Sequence, residues 1–248
     1  MQSNQEPGNV ARVAVVIATY NERANIERLI PDLMESSVSP HVVIVDDNSP
    51  DGTGQAVQEF MKRHPGRISL VERSRKQGYG PAVVAGFRKV IGGDFDIVVT
   101  MDADFSHDPV AIPDMVAPLD KADLAIGSRY VGGIRILNWS MSRLLLSSCA
   151  NLYVNTILRY HISDCTSGFR AYRAPVLRSI DLDRASSRGY SFLVELLELV
   201  VRAGYSVHEV PIVYTERRVG KSKMSRGVIA ESVIRPWFLL ARRLAGRR

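Results

Sequence analysis

The stretch IVVTMDADFSHDP, residues 97–109, decides how this chain reads. Residues 97–101 are apolar apart from Thr100 and rich in β-branched side chains, without the polar alternation of a half-exposed strand. Such a run reads as a strand buried on both faces, hence a member of a parallel sheet covered by helices. In an open α/β sheet, ligands bind at the carboxyl ends of the strands. That end carries Asp102 and Asp104, alternate residues that can aim two carboxylates at one point as they leave the strand. Oxygen donors of this kind suit Mg2+ or Mn2+, and such an ion usually completes its shell with phosphate oxygens. An Asp-x-Asp pair also arises by chance or as a helix cap, here ahead of Pro109. Its place at the end of a buried strand favours the metal reading.

Similar apolar runs occur at residues 13–18, 42–45, 68–71 and 124–126. Helix-like stretches lie between them at 24–36, 54–63, 81–91 and 109–118, each long enough for a crossover. This β-α-β-α rhythm predicts a doubly wound α/β domain from about 11 to 130. The rhythm then breaks. Residues 136–160 read as one amphipathic helix interrupted by Arg143, 191–203 as another helix, and 208–214 as a late strand. The organisation expected is one domain over 11–224, with halves meeting near residue 130, followed by a basic amphipathic helix over 225–248.

Hydrophobic residues make up 46% of the 248 and charged residues 23%, the balance of a folded globular chain rather than a disordered one. No run of 18 uncharged apolar residues occurs, which excludes an ordinary membrane-spanning helix. The first 16 residues lack the layout of a secretory signal, so a cytosolic location is expected. Cys149 and Cys165 are too few for a disulfide framework or a four-cysteine zinc site, and both are expected to pack as small apolar residues. The net charge of +6 is unevenly placed: residues 217–248 hold ten Lys or Arg against Glu231, leaving the first 216 residues at −3. Apolar residues interleave with that basic tail at roughly helical spacing. The mixture favours an anionic membrane surface over nucleic acid as its partner, the alternative being a helix packed on its own domain.

Polar residues cluster where strands end: Thr19-Tyr20-Asn21-Glu22, Asp46-Asp47-Asn48-Ser49-Pro50-Asp51-Gly52, and Gly127-Ser128-Arg129-Tyr130. So many carboxylates at adjacent strand ends are expected to need a cation among them. Gly78-Tyr79-Gly80 reads equally as a phosphate cradle and as a tight turn. The five histidines form no nucleophile–base arrangement, which disfavours covalent hydrolytic catalysis. Among them, His107 reads as a surface-turn residue, the alternative being a supporting group beside the carboxylates.

Taken in order, TYNERANI (19–26), VDDNSPDGT (45–53), QGYGPAVVAGF (77–87), MDADFSHDP (101–109), IGSRYVGG (126–133), DCTSGFRAYR (164–173), GYSFLVELL (189–197) and EVPIVYTERRVGKSKM (209–224) resemble the family 2 glycosyltransferases of the GT-A fold. More narrowly they resemble the polyprenyl (dolichyl) phosphate mannose synthases. The resemblance implies a GDP-mannose donor held by Ala18, Tyr20, Glu22, Val45 and Asp47. Asp102, Ala103 and Asp104 would carry the donor and metal, and Ser106 would be a further metal ligand. Arg217 and Lys223 would close over the diphosphate. Arg129 would stand between donor and acceptor phosphates, Arg143 and Ser147 would grip the phosphate of a polyprenyl acceptor, and Asp164 to Arg170 would floor the pocket. Ala18 departs from the proline usual in the family before Thr-Tyr-Asn-Glu; a backbone contact survives that change.

A polyprenyl phosphate is already anionic, so it needs no general base, and in-line attack inverts the anomeric carbon. The enzyme's task is then to bring two anions together, with metal and arginines supplying the opposite charge. Membrane contact would be peripheral, at the cytosolic face, or supplied by a membrane-embedded partner. Another donor such as UDP-glucose is the nearest alternative, and a non-catalytic nucleotide- or nucleic-acid-binding module the remotest.

Overall fold

The computed structural model describes residues 11–245 apart from 188, 190 and 217–225, with backbone alone at 226–230. Strands and helices alternate through the first half: β1 (Val13–Thr19), α1 (Arg23–Glu35), β2 (His41–Asp46), α2 (Thr53–Arg63), β3 (Ile68–Glu72), α3 (Tyr79–Ile91), β4 (Ile97–Met101), α4 (Ile112–Val116) and β5 (Leu124–Ser128). The second half adds β6 (Ile136–Leu137), α5 (Met141–Leu158), β7 (Arg170–Arg173), α6 (Ala174–Ser179), α7 (Ser191–Arg202), β8 (Val207–Pro211), β9 (Tyr214–Thr215) and α8 (Arg226–Ala245).

Seven strands form one sheet in the order β3-β2-β1-β4-β7-β5-β8, parallel except for β7, which runs antiparallel to both neighbours. Alternate residues of the buried strands feed two layers. Val13, Val15 and Ile17 pack with Ile26, Leu29 and Phe60 of α1 and α2, while Ala14 and Val16 pack with Phe87 of α3 and with Leu196 and Val200 of α7. α3 lies so close to the sheet that a Cβ at Gly86 would collide with Cγ1 of Val16. Burial of this kind is worth about 1.5–3 kcal/mol for each large aliphatic side chain.

The fold is the mostly parallel α/β architecture expected, with four local differences. Sequence reading has no strand at β7, because RAYR carries two arginines. Arg170 is nonetheless fully buried, donating to the carbonyls of Cys165, Ser167 and Leu193. The helix expected at 109–118 is broken into a 3-10 turn, the five-residue α4 and a second 3-10 turn, because Pro113 and Pro118 interrupt its hydrogen bonding. The helix expected from 136 begins at Met141, where the Ser140 side chain caps Arg143 N–H; Ile136 and Leu137 pair instead with β9. The single late strand is two, β8 in the large sheet and β9 in that small ladder.

α5 and α8 lie together, with α7 packed against α8. Tyr153 of α5 donates to the Val233 carbonyl (2.7 Å) and accepts from Trp237 Nε1 (2.8 Å). Arg235 pairs with buried Glu195, and Arg243 with Glu198 and the Leu158 carbonyl. The outer face of the two helices keeps Leu145, Leu152, Ile234, Trp237 and Phe238 exposed. Among the described residues no helix is long and apolar enough to cross a membrane.

Candidate active site

The first wall is built by the ends of β1 and β2, whose register sets Ala18 opposite Val45 and Thr19 opposite Asp46. Left-handed turns at Asn21 and Asn48 carry the chain off both strands. Asp46 accepts from Thr19 Oγ1 (3.0 Å) and from the backbone and hydroxyl of Ser49. Asp47, 3% exposed, accepts from Arg73 Nη1 (2.7 Å) and Gln77 N–H (3.0 Å). Of the carboxylates after β2, Asp46 is therefore held by neutral groups and Asp47 is paired with the Arg73 cation. Arg73, just beyond β3, escapes sequence reading because no motif marks it. Tyr20 lies beneath the Lys76 ammonium (3.9 Å to the ring centre), and Glu22 accepts from Asn25 (2.7 Å).

The second wall follows β4. Asp104 is buried and accepts from Ser106 N–H (3.1 Å), Ala103 is buried between the two carboxylates, and the Asp102 side chain is 36% exposed. His107 is not a surface-turn residue: it is 2% exposed, stacked on Phe169 (5.1 Å) and edge-on to Tyr214 (5.7 Å). Its Nδ1 accepts the Asp102 N–H at 3.0 Å, which places the ring proton on Nε2, and burial lowers its pKa. A neutral ring thus fixes the turn that presents both carboxylates. The sequence ranks this role second to a surface turn because Ser-His-Asp-Pro is ordinary loop composition.

Ser106 Oγ is buried and makes no well-formed hydrogen bond, with the Tyr214 hydroxyl as a neighbour. A buried hydroxyl so weakly engaged, next in sequence to two carboxylates, fits a hard divalent cation. Among the described residues no three His, Cys, Asp or Glu side chains could hold a metal together. The protein's share is therefore small, as for Mg2+ bound largely by phosphate and water.

The third wall comes from beyond β5. Arg129, 8% exposed, binds Asp164 through Nε and Nη2 (both 2.6 Å) and through its backbone N–H (3.1 Å), and Thr166 through Nη2 (2.7 Å). Burial opposes the guanidinium charge, but Asp164 outweighs it and the pKa is raised. The rings of Tyr130, Trp139 and Tyr214 surround this cation at 5.4–5.6 Å. On α5, Arg143 stacks on Trp139 (4.2 Å) and pairs with Glu216 (2.5 Å), while Ser147 Oγ accepts from Tyr130 (2.7 Å). Arg129, Arg143, Ser147 and Thr166 share the lining of a cavity of about 380 Å3 that continues between α5 and α8 along Leu146, Val154, Val233 and Pro236.

Several expectations are redistributed. Of residues 164–170, Thr166 lines the cavity and Asp164 lies beneath Arg129, but Arg170 is a core residue. Cys165 is buried, its thiol pushed up to about 12 by desolvation, whereas Cys149 is exposed and lines the cavity, contrary to the expectation that both pack inside. Gly78 and Gly80 serve a turn and close packing: Gly78 has φ +108°, and a Cβ at Gly80 would strike the Ser187 carbonyl. Arg217 and Lys223 lie outside the described residues.

The profile of glycosyl transferase family 2 matches residues 14–181. The chain is 41% identical over 237 residues to polyprenol monophosphomannose synthase of Mycolicibacterium smegmatis, covering 94% of this chain and 89% of that protein. It is 40% identical over 233 residues to undecaprenyl-phosphate mannosyltransferase of Micrococcus luteus, covering 93% and 96%. In three dimensions it resembles glucosyl-3-phosphoglycerate synthase of Mycobacterium tuberculosis, solved with Mn2+, UDP and phosphoglyceric acid; the TM-score is 0.66 at 21% identity, with 91% of this chain and 78% of that one covered. With a family profile spanning more than half its length and relatives near 40% identity over nearly all of it, this chain belongs to glycosyl transferase family 2.

Proposed function

We propose that the chain transfers mannose from GDP-mannose to a polyprenyl phosphate, inverting the anomeric carbon. One observation carries the reading: the cationic groups Arg129 and Arg143 and the Ser147 hydroxyl line the same cavity as the apolar residues Leu146, Val154, Val194, Val233 and Pro236. A phosphate fits the cationic groups, and a prenyl chain fits the apolar lining. The names of the Mycolicibacterium and Micrococcus relatives point to the same acceptor class.

The nucleoside and diphosphate of the donor occupy the crevice of Ala18, Tyr20, Glu22, Val45 and Asp47. Asp47 keeps acceptor capacity there, since an ionised carboxylate offers about four lone-pair sites and two are used. Asp102, Asp104 and Ser106 hold Mg2+ or Mn2+, which when bound neutralises charge on the departing diphosphate. Arg217 and Lys223 complete the positive lining of the donor. Arg129 is rigid, held by Asp164 and Thr166, and fixes guanidinium N–H donors between the two phosphates. Arg143 and Ser147 bind the acceptor phosphate and aim one of its oxygens at the anomeric carbon. That oxygen forms the new bond as the bond to the diphosphate breaks, and no proton need be removed.

The exposed apolar face of α5 and α8 sets the cavity against an anionic membrane surface. An exposed apolar patch shared by α5 and the basic helix α8, with Trp237 in it, suits the bilayer interface.

The test is transfer of labelled sugar from GDP-mannose and, separately, UDP-glucose to polyprenyl phosphate, with Mg2+, with Mn2+ and with EDTA. Metal-dependent lipid product from GDP-mannose alone supports the reading. Product from UDP-glucose alone corrects the sugar, and no lipid product from folded protein overturns the acceptor.

A further inference from the structure

Both arginines of the third wall already have carboxylate partners, and the two pairs are built differently. Arg129 and Asp164 make three hydrogen bonds, with side chains only 9% and 0% exposed. Arg143 and Glu216 make one contact, with side chains 30% and 40% exposed. A buried bidentate pair loses several kcal/mol if one partner is removed, whereas an exposed single contact contributes little. The first is fixed and the second is exchangeable.

The partners of the second pair are also held independently of each other. Arg143 lies on the Trp139 face. Glu216 follows β9 directly, its N–H bonded to the Leu137 carbonyl (3.3 Å) next to the Leu137–Thr215 register. Losing the carboxylate therefore leaves the guanidinium seated on its ring.

We propose that Glu216 is a specificity-determining residue that occupies the Arg143 seat in the resting enzyme and yields it to the acceptor phosphate. This rests on Arg143 being an acceptor-phosphate ligand. A phosphate monoester carries about −1.5 to −2 charge at neutral pH and meets a guanidinium bidentately, so it displaces a singly bonded carboxylate. A prenol, with no charge, does not, and a prenyl carboxylate only matches what it must remove. The pairing also keeps Arg143 neutralised beside an apolar cavity between turnovers. Glu216 thus imposes one cost on every acceptor that takes the seat, a cost that a phosphate outweighs and a carboxylate only matches.

The test uses the whole chain in steady-state assays that vary donor and acceptor separately. Glu216→Gln is expected to lower the KM for polyprenyl phosphate about two- to five-fold, the range an exposed ion pair spans, without lowering the KM for the donor. Inhibition by a prenyl carboxylate of matched length should tighten at least as much. Glu216→Asp, which withdraws the carboxylate by one methylene, should move the acceptor KM the same way. In an Arg143→Ala background, Glu216→Gln should have no effect on that KM. An unchanged or raised acceptor KM in Glu216→Gln overturns the proposal, a raised one making Glu216 an orienting partner instead. If Arg143→Ala alone leaves the acceptor KM unchanged, the seat itself is misassigned, a different failure that the same data set distinguishes.

Discussion

The two sides of the crevice handle charge in opposite ways. On the side of β4 the carboxylates are anchored by neighbours close in sequence: Asp104 by the Ser106 backbone, and the Asp102 turn by His107. On the side of β5 and α5 the cations are anchored across long separations, Arg129 by Asp164 and Arg143 by Glu216. Short-range anchoring makes a site a motif in the sequence, while long-range anchoring makes it a property of the fold. The difference predicts that substitutions on the first side damage chemistry locally, and those on the second spread into stability or acceptor binding.

The largest effect should come from Asp104→Ala. It removes a buried carboxylate next to Ser106, and turnover should fall by about a hundred- to a thousand-fold, on the scale of losing a principal electrostatic group. Unfolding free energy should change much less than kcat; near-normal kcat would break the metal assignment. Asp164→Ala should behave the other way. It strands the buried Arg129 charge, so about 3–5 kcal/mol of stability should be lost, measurable by denaturant titration. A change under about 1 kcal/mol would mean that Arg129 is not held as described.

Arg143→Ala sharpens the contrast on a smaller scale. Loss of a charge-assisted contact costs about 1.5–3 kcal/mol, so the acceptor KM should rise roughly ten- to a hundred-fold while the donor KM moves little. A donor-side effect instead would place Arg143 on the wrong side of the crevice. The smallest effect is chemical: a maleimide at neutral pH should label exposed Cys149 and spare Cys165, whose thiol is buried and raised to about 12. Polyprenyl phosphate should slow labelling of Cys149, because that residue lines the cavity. Equal labelling with and without acceptor would remove the prenyl chain from the space between α5 and α8.

The same contrast explains what is legible in the sequence. Strands β1 to β5 announce themselves as largely apolar runs, and Asp102 and Asp104 sit where such a strand must end. β7 stays hidden because its most buried charged residue is an arginine satisfied by three carbonyls, a pattern no periodicity registers. His107 reads as exposed because its burial is supplied by Phe169 and Tyr214, 62 and 107 residues further on. Arg143 and Ser147 are reached through family resemblance, but Glu216, 73 residues from Arg143, becomes visible as its partner only in three dimensions.

The central claim is that the acceptor's own charge, met by Arg129 and Arg143, replaces a general base. The most direct measurement compares polyprenyl phosphate with the dephosphorylated polyprenol of the same length, at saturating GDP-mannose and metal, with the glycolipid detected by mass spectrometry. The account predicts mannosylated product from the phosphate and none above background from the alcohol. Comparable product from the alcohol would contradict it, since a neutral hydroxyl needs a base to take its proton and could not draw on the charge of the arginine seat.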